Sequence, residues 1–285
     1  MQNLILDLDL AREIELAEAQ AAVGCAEMMS TLQPGAASAC EAVAGGYAVY
    51  CGAGNPITQA VGVGLCGPVS TEEFDRLEEF YFRRSEPVRV ETCPLAHASL
   101  FEHYKERGYH ATEFSNVMVR AVGEEAALWP PARPGMKIWQ ASPQEIELWV
   151  LTVSQGFSEN YRVTDDLLRV MKMFALAKGT ECYLANLEGR IAGGATLAVR
   201  GRIAGLFGAS TLTEFRGRGV QMALLHARLR RAQELGCELV MSLALPGSHS
   251  QRNITRVGLQ TMYTRVKFER AWAASGTIDR SSVSG

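Results

Sequence analysis

Residues 203–225 constrain the fold and the chemistry of this chain more than any other stretch. They read IAGLFGAS, then TLTEFRGRGVQMALL, a pattern that predicts a strand, a tight turn and a helix. Gly217 and Gly219 let the backbone turn sharply and expose its N–H groups. The following helix adds the positive end of its dipole and unpaired first-turn N–H groups, while Arg216 and Arg218 add positive charge. The stretch therefore predicts an anion site, and phosphate is the usual anion at such a place.

Two common phosphate-binding loops do not fit this stretch. A Walker loop requires GxxxxGK followed by serine or threonine, and no lysine stands at that position. A dinucleotide-binding fingerprint requires GxGxxG, but Met222 stands where the third glycine belongs. The strands predicted before the loop also follow one another in tight turns, which is not the βαβ opening of a dinucleotide fold.

The sequence divides into two halves with the same order of predicted elements. Each half predicts meander strands, then a helix, a strand, a short helix closed by glycine, and a long final strand. Between them, residues 123–136 contain consecutive prolines, as linkers often do. We therefore predict one domain over 1–122, a linker over 123–136 and a second domain over 137–285, related by duplication of a whole domain.

The glycine–arginine turn resembles a loop of a known superfamily. Residues 216–221, RGRGVQ, resemble the pyrophosphate loop of the GNAT superfamily of acyl-CoA-dependent acyltransferases, whose pattern is Gln/Arg-x-x-Gly-x-Gly/Ala. Residues 250–252 (SQR) and 258–259 (GL) resemble that superfamily's last motif. The resemblance is good over 137–270 and weaker over 1–122. It implies an α/β (α+β) fold of two tandem GNAT-like domains, each a mixed, mostly antiparallel central sheet flanked by helices.

The resemblance also implies a reaction and its participants. An amine of a small molecule or peptide would attack the thioester of acetyl-CoA directly, with acetyl-CoA as co-substrate and without a metal. The backbone at the end of the strand would hold pantetheine, and the loop would hold pyrophosphate. The residues that the resemblance assigns to the cofactor are Ser210, Thr211, Leu212, Arg216, Gly217, Arg218, Gly219, Val220, Gln221, Ser250 and Asn253.

The first half lacks this loop. Residues 67–73, GPVSTEE, occupy its position and contain neither a glycine pair nor an arginine. Glu72 and Glu73 suit the first turn of a helix but repel a pyrophosphate. We therefore interpret the first half as a degenerate copy without cofactor, which supports the second half or walls the acceptor site.

Catalytic groups are harder to assign from the sequence. Glu181 and Glu159 are candidate bases, and Ser250 lies near the expected sulfur of the cofactor. Ile254 stands where the superfamily usually has the tyrosine that protonates the thiolate, which leaves Tyr263 as a fallback acid. Each candidate has an ordinary alternative: surface carboxylates for the glutamates, a helix cap for Ser250 and sheet packing for Tyr263.

Composition and charge limit the partners and the cellular location that we expect for this protein. The net charge of −3 provides no global basic field, so we expect no nucleic-acid partner. No apolar run approaches a membrane span, the acidic start is unlike a signal peptide, and the seven cysteines form no CxxC pair. We expect a cytoplasmic monomer or homodimer that does not bind membranes.

Three hypotheses for function stay open at this point. The first is an N-acetyltransferase whose second domain is active. The missing tyrosine, together with the absence of a carboxylate or histidine from strand 203–210, motivates the alternative of a non-catalytic acyl-CoA-binding or sensing protein. A structural adaptor that binds a partner through the first half is the third hypothesis, and no motif argues for it.

Overall fold

The computed structural model describes residues 4–35, 37–123, 133–158 and 162–272, over which the chain forms seven α-helices and eleven strands. The helices are α1 (Leu8–Leu32), α2 (Thr71–Phe82), α3 (Ala98–Arg107), α4 (Ile146–Phe157), α5 (Asp165–Leu176), α6 (Val220–Glu234) and α7 (His249–Arg256). The strands are β1 (Ala39–Val43), β2 (Gly46–Tyr50), β3 (Gln59–Val61), β4 (Val88–Thr92), β5 (His110–Ala121), β6 (Met136–Gln140), β7 (Thr180–Leu187), β8 (Arg190–Arg200), β9 (Ile203–Thr211), β10 (Leu239–Ala244) and β11 (Gln260–Arg270). Among the helices described, none combines the length and apolarity needed to cross a membrane.

Local sequence signals set many of the helix ends. Asp7 caps α1 by accepting a hydrogen bond from the N–H of Leu10, and Thr164 caps α5 in the same way through the N–H of Leu167. The last turn of α3 ends at Gly108, which has a φ of 74° and adopts the left-handed conformation that glycine tolerates best. These helix ends are therefore set by residues that lie next to them in the sequence.

All eleven strands form one sheet in the order β1-β2-β3-β4-β11-β5-β10-β9-β8-β7-β6. Two pairs are parallel, β3 with β4 and β9 with β10, and every other neighbouring pair is antiparallel. The sheet is therefore mixed and mostly antiparallel, with helices packed on it, as the sequence predicts.

The two halves exchange their last strands. We use "N-half" for the described residues up to 123 and "C-half" for those from 133 onward. The last strand of the C-half, β11, lies between β4 and β5 of the N-half, and β5 in turn lies between β11 and β10. Outward from the β11–β5 pair, β4-β3-β2-β1 corresponds in order and direction to β10-β9-β8-β7, and β6 is an additional strand at the C-half edge, which agrees with duplication of one unit. The predicted linker lies mostly outside the described residues, so the proposed domain boundary stays a prediction, whereas the exchange itself was not predicted.

Two local expectations in the N-half need correction. The segment TQAVGVGL at 58–65 predicts a strand, but the strand is only Gln59–Val61, because Gly62 and Gly64 have positive φ angles of 76° and 79° and turn the chain out of the sheet. The short strand Ala39–Val43 was not predicted, and it forms through antiparallel pairing with β2. Short strands of this kind depend on their partner more than on their own sequence.

A buried ionic cluster joins α1 to the exchanged strand β11. The Arg265 side chain is fully buried and donates to Glu15 at 2.9 Å and to Glu18 at 2.8 Å. Tyr263 donates to the same Glu15 oxygen at 2.7 Å. Because buried charges are costly unless paired, these contacts fix how α1 lies against the strand from the other half.

Candidate functional site

The parallel strands β9 and β10 separate before they end. Their pairing stops at Gly205 and Met241, although β9 continues to Thr211. Beyond that point β9 carries a bulge, since its register with β8 shifts between the Gly194–Ser210 and Thr196–Phe207 pairs. A bulge bends its strand and leaves a residue unpaired, which opens a gap on the β10 side.

The loop that follows β9 requires glycine by conformation. Gly217 and Gly219 have φ angles of 73° and 85°, and apart from the adjoining residues no heavy atom in the described part of the chain lies within 4 Å of where a Cβ would stand on either residue. A larger side chain would therefore be disfavoured by backbone strain and not by collision. Gly219 occupies the N-cap position of α6 and has no side chain to accept from the first-turn N–H groups. The helix thus begins with donors that its own cap does not satisfy.

Both arginines of the loop already have protein partners. The Arg216 guanidinium donates to the carbonyl oxygens of Thr211 at 3.3 Å and Gly156 at 3.1 Å, so it ties the end of β9 to the end of α4. Arg218 forms an exposed ion pair with Glu188 at 2.6 Å. In this structure both side chains hold the shape of the loop, so an anion at this place would meet the backbone N–H groups and the helix dipole.

The two sequence motifs of the C-half meet at the start of α6. The side-chain amide of Asn253 donates to the side-chain oxygen Oε1 of Gln221 at 2.5 Å, which joins α7 to α6. Ser248, and not Ser250, caps α7 by accepting from the N–H of Gln251. Ser250 lies two residues further along the helix, is half-buried, and has no side-chain hydrogen bond to any residue that the structure describes.

The other predicted cofactor residues are anchored around the same place. The Ser210 hydroxyl donates to the carbonyl of Val153 in α4 at 3.0 Å, and the N–H of Leu212 donates to the carbonyl of Ala192 in β8 at 3.0 Å. Val220 is buried in the core beneath the loop. These contacts hold the end of β9 and the start of α6 in fixed positions, so the structure brings together the residues assigned to the cofactor.

Glu181 on β7, a predicted base, and Tyr263, the predicted acid, lie away from the residues assigned to the cofactor. Glu181 accepts hydrogen bonds from Arg231 and Tyr183; burial opposes its ionisation, but these bonds outweigh burial and lower its pKa. The Tyr263 hydroxyl is bound to Glu15, and burial together with that carboxylate raises its pKa. Glu159 lies outside the described residues. Neither Glu181 nor Tyr263 lies on the cavity that adjoins the open strand pair.

That cavity has a volume of about 290 Å³ and is lined by residues of both halves. Phe207, Gly208 and Leu243 form its wall at the open strand pair. The sequence analysis missed the polar residues on the opposite side, which come from the N-half. They are Glu18 on α1, Gln59 on β3 and Glu91 on β4.

Comparison with known proteins shows which family model and which solved structures this chain resembles. Residues 144–258 match the model of the acetyltransferase (GNAT) family. A GCN5-related N-acetyltransferase from Kribbella flavida superposes over 88% of this chain and 94% of its own, with 14% identity and a TM-score of 0.63. A tandem GNAT protein from the clavulanic acid biosynthesis pathway superposes over 94% of this chain and 96% of its own, with 14% identity and a TM-score of 0.60. The sequence matches no curated protein.

The family match and the structural similarity agree with each other. Residues 144–258 are a domain of the GNAT family, and the chain as a whole has the tandem GNAT fold. Its N-terminal copy is degenerate at the loop. There, Ser70 and Glu73 form a capping box that satisfies the first turn of α2 from within the chain.

Proposed function

We propose that this protein transfers an acetyl group from acetyl-CoA to an amine, with the C-half as the active copy. One observation carries the proposal: the glycine turn and the uncapped start of α6 stand at the end of a separated strand pair that adjoins a cavity lined by both halves. A helix start with free N–H groups suits a pyrophosphate, and a separated strand edge suits a pantetheine chain.

The residues of the C-half then have distinct roles. The N–H groups of Val220 and Gln221 would hold the pyrophosphate, while Arg216 keeps the end of β9 in place through Thr211. The residue of the bulge near Gly208 that lacks a β8 partner would offer its N–H to the acyl carbonyl oxygen. Acetyl-CoA, when bound, supplies an acetyl group activated as a thioester. As the amine nitrogen bonds to the acyl carbon, the carbon–sulfur bond breaks and the nitrogen loses a proton to solvent.

A second function has a specific observation in its favour. Ile254, at the position where the motif usually has tyrosine, is buried in the apolar core, and the cavity wall carries no tyrosine or histidine among the residues described. A protein that binds acyl-CoA and senses it without transfer would not need a proton donor there.

The test is release of free thiol from acetyl-CoA, followed with a thiol-reactive dye and a panel of amines. We expect release that depends on the amine and that is lost in Gly219→Glu. Binding of CoA without release for any amine would favour the sensing function. Absence of CoA binding would contradict both functions.

A further inference from the structure

The cavity between the halves has a chemistry that neither the family nor the loop specifies. One end, at Phe207, Gly208 and Leu243, adjoins the open strand pair. Most of the remaining lining is apolar, with Ala22 of α1 and Phe174 of α5 among it. The opposite end belongs to the N-half and carries polar groups. A molecule that fills the cavity therefore meets an apolar passage with a polar terminus.

The carboxylates of Glu18 and Glu91 form that terminus, and both can accept further hydrogen bonds. Glu18 is 13% exposed and makes one contact, with Arg265 at 2.8 Å. Glu91 is 7% exposed and its carboxylate is bound by Lys267 at 3.2 Å. A carboxylate accepts about four hydrogen bonds through its two oxygens, so each group retains acceptor sites.

The charge around this terminus is negative. The carboxylates at this terminus that line the cavity are Glu18 and Glu91, whereas their cations Arg265 and Lys267 do not line it and are shared with Glu15 and Glu113. The cavity wall at this terminus therefore carries two acidic groups and no basic one among the residues described. Such an excess favours a cationic ligand, since burial weakens solvent screening.

An independent feature points to a ligand at the same place. The Gln59 side chain is 9% exposed and lines the cavity, and its carbonyl oxygen is buried without a hydrogen-bond partner among the residues described. Buried acceptors left without a donor are costly and uncommon in folded proteins. A hydrogen-bond donor on a bound molecule would satisfy this oxygen.

Elsewhere on the cavity wall stands one further charged group, Arg200. Its guanidinium donates to the carbonyl of Val199, and no carboxylate pairs with it among the residues described. Arg200 gives the cavity a second possible anchor, for a carboxylate, and the experiment below separates the two.

We propose that the acceptor is an amine carrying a second cationic group at the far end of an apolar chain, a diamine in the simplest case. One amine lies toward Gly208 at the open strand pair, and the other is held by Glu18, Glu91 and the carbonyl of Gln59. This inference rests on the proposed function, because it assigns the cavity to the acceptor of that reaction. The N-half then supplies the groups that recognise the acceptor.

The test compares three probes of equal chain length: hexamethylenediamine, hexylamine and ε-aminocaproate. Their binding is measured by calorimetry on the full chain without CoA. We expect the diamine to bind at least about tenfold more tightly than hexylamine, equivalent to about 1.4 kcal/mol. Equal affinities, or tightest binding of ε-aminocaproate through Arg200, would overturn the proposal.

Two variants test which carboxylate produces the preference for the diamine. Glu91→Gln should bring the diamine to within about threefold of hexylamine, while its unchanged affinity for hexylamine reports an intact cavity. Glu113→Gln is the matched control, because Glu113 binds the same Lys267 but does not line the cavity. The control should keep the preference for the diamine, and loss of the preference in both variants would contradict a direct contact.

The two proposals fail in different ways. Diamine binding without CoA reports on the cavity alone, so a protein that binds the diamine but never releases thiol keeps the cavity assignment and loses the proposed reaction. A protein that acetylates amines without preferring a diamine keeps the reaction and loses the cavity assignment.

Discussion

The helices α2 and α6 occupy corresponding places in the two halves but begin in opposite ways. Each follows the first strand of the parallel pair in its half, β3 for α2 and β9 for α6. At α2, the Ser70 hydroxyl accepts from the N–H of Glu73 while the Glu73 carboxylate accepts from the N–H of Ser70. At α6, Gly219 leaves the first-turn N–H groups uncapped. One fold can therefore carry an open anion site or a closed helix start, depending on a few local residues.

The loops before α2 and α6 also differ in whether their backbone groups are already hydrogen-bonded within the chain. In the N-half, the carbonyl of Gly64 accepts from the N–H of His97, and the N–H of Val69 donates to the hydroxyl of Ser99. The backbone there is already engaged by α3 and its cap. In the C-half, the glycine turn is held from outside, by the side chain of Arg216.

The exchanged strands provide a second contrast, and it gives the largest expected effect. Each strand buries an arginine, but Arg120 of β5 donates to the carbonyl of Val257, whereas Arg265 of β11 is paired with two carboxylates. Arg265→Met would leave Glu15 and Glu18 buried without their cation, and we expect a loss of ~3–5 kcal/mol in the free energy of unfolding. Chemical denaturation measures this loss.

The matched control for that change is Arg270→Met on the same strand. Arg270 is 35% exposed at its side chain, and its partner Glu78 retains Arg107. We expect a loss below about 1 kcal/mol. Equal losses in the two variants would show that the buried cluster does not hold the strands together.

The next largest effect is on CoA affinity and tests the loop before α6. Gly219→Glu places a carboxylate at the start of α6, where it competes for the N–H groups and repels pyrophosphate, so we expect CoA affinity to fall at least about 100-fold, or about 2.7 kcal/mol. Gly67→Glu, at a positive φ of 138° in the N-half, is the control. Calorimetry with CoA should find the control unchanged, and a loss in both variants would point to general misfolding.

A smaller effect tests whether the N-half helix start is purely structural. Ser70→Ala removes the cap of α2 and should reduce the free energy of unfolding by about 1 kcal/mol. The dissociation constant for CoA should not change. Thr71→Ala, at the adjacent exposed position, controls for the loss of a hydroxyl. A change in CoA affinity on loss of the cap would contradict a cofactor-free N-half.

The smallest effect is a pH dependence. Burial raises the pKa of Glu91, with Arg265 and Lys267 opposing and Glu18 adding to the rise. A carboxyl with a raised pKa in the folded state costs stability once it ionises. The wild type should therefore lose stability relative to Glu91→Gln as the pH rises from about 4.3, the ordinary value, through the raised pKa. Urea denaturation of both proteins across this range gives the slopes, and parallel slopes would exclude a raised pKa.

The sequence allowed prediction of what is local. The glycine turn, the caps and the α6 start depend on neighbouring residues, and the strand–turn–helix order was confirmed. The strand exchange depends on pairing between residues more than 140 positions apart, such as Val266 with Phe114, which no local pattern encodes. Glu18 and Glu91 lie on faces that look solvated in sequence but are covered by the other half. A signal existed for Glu18, which shares a helix face with the apolar Ile14 and Ala22.

The number of CoA molecules bound per chain tests the contrast between the halves most directly. Calorimetry on the full chain should give one equivalent, lost in Gly219→Glu and retained in Gly67→Glu. Two equivalents per chain, or one equivalent that survives Gly219→Glu, would contradict an open site in the C-half and a closed one in the N-half.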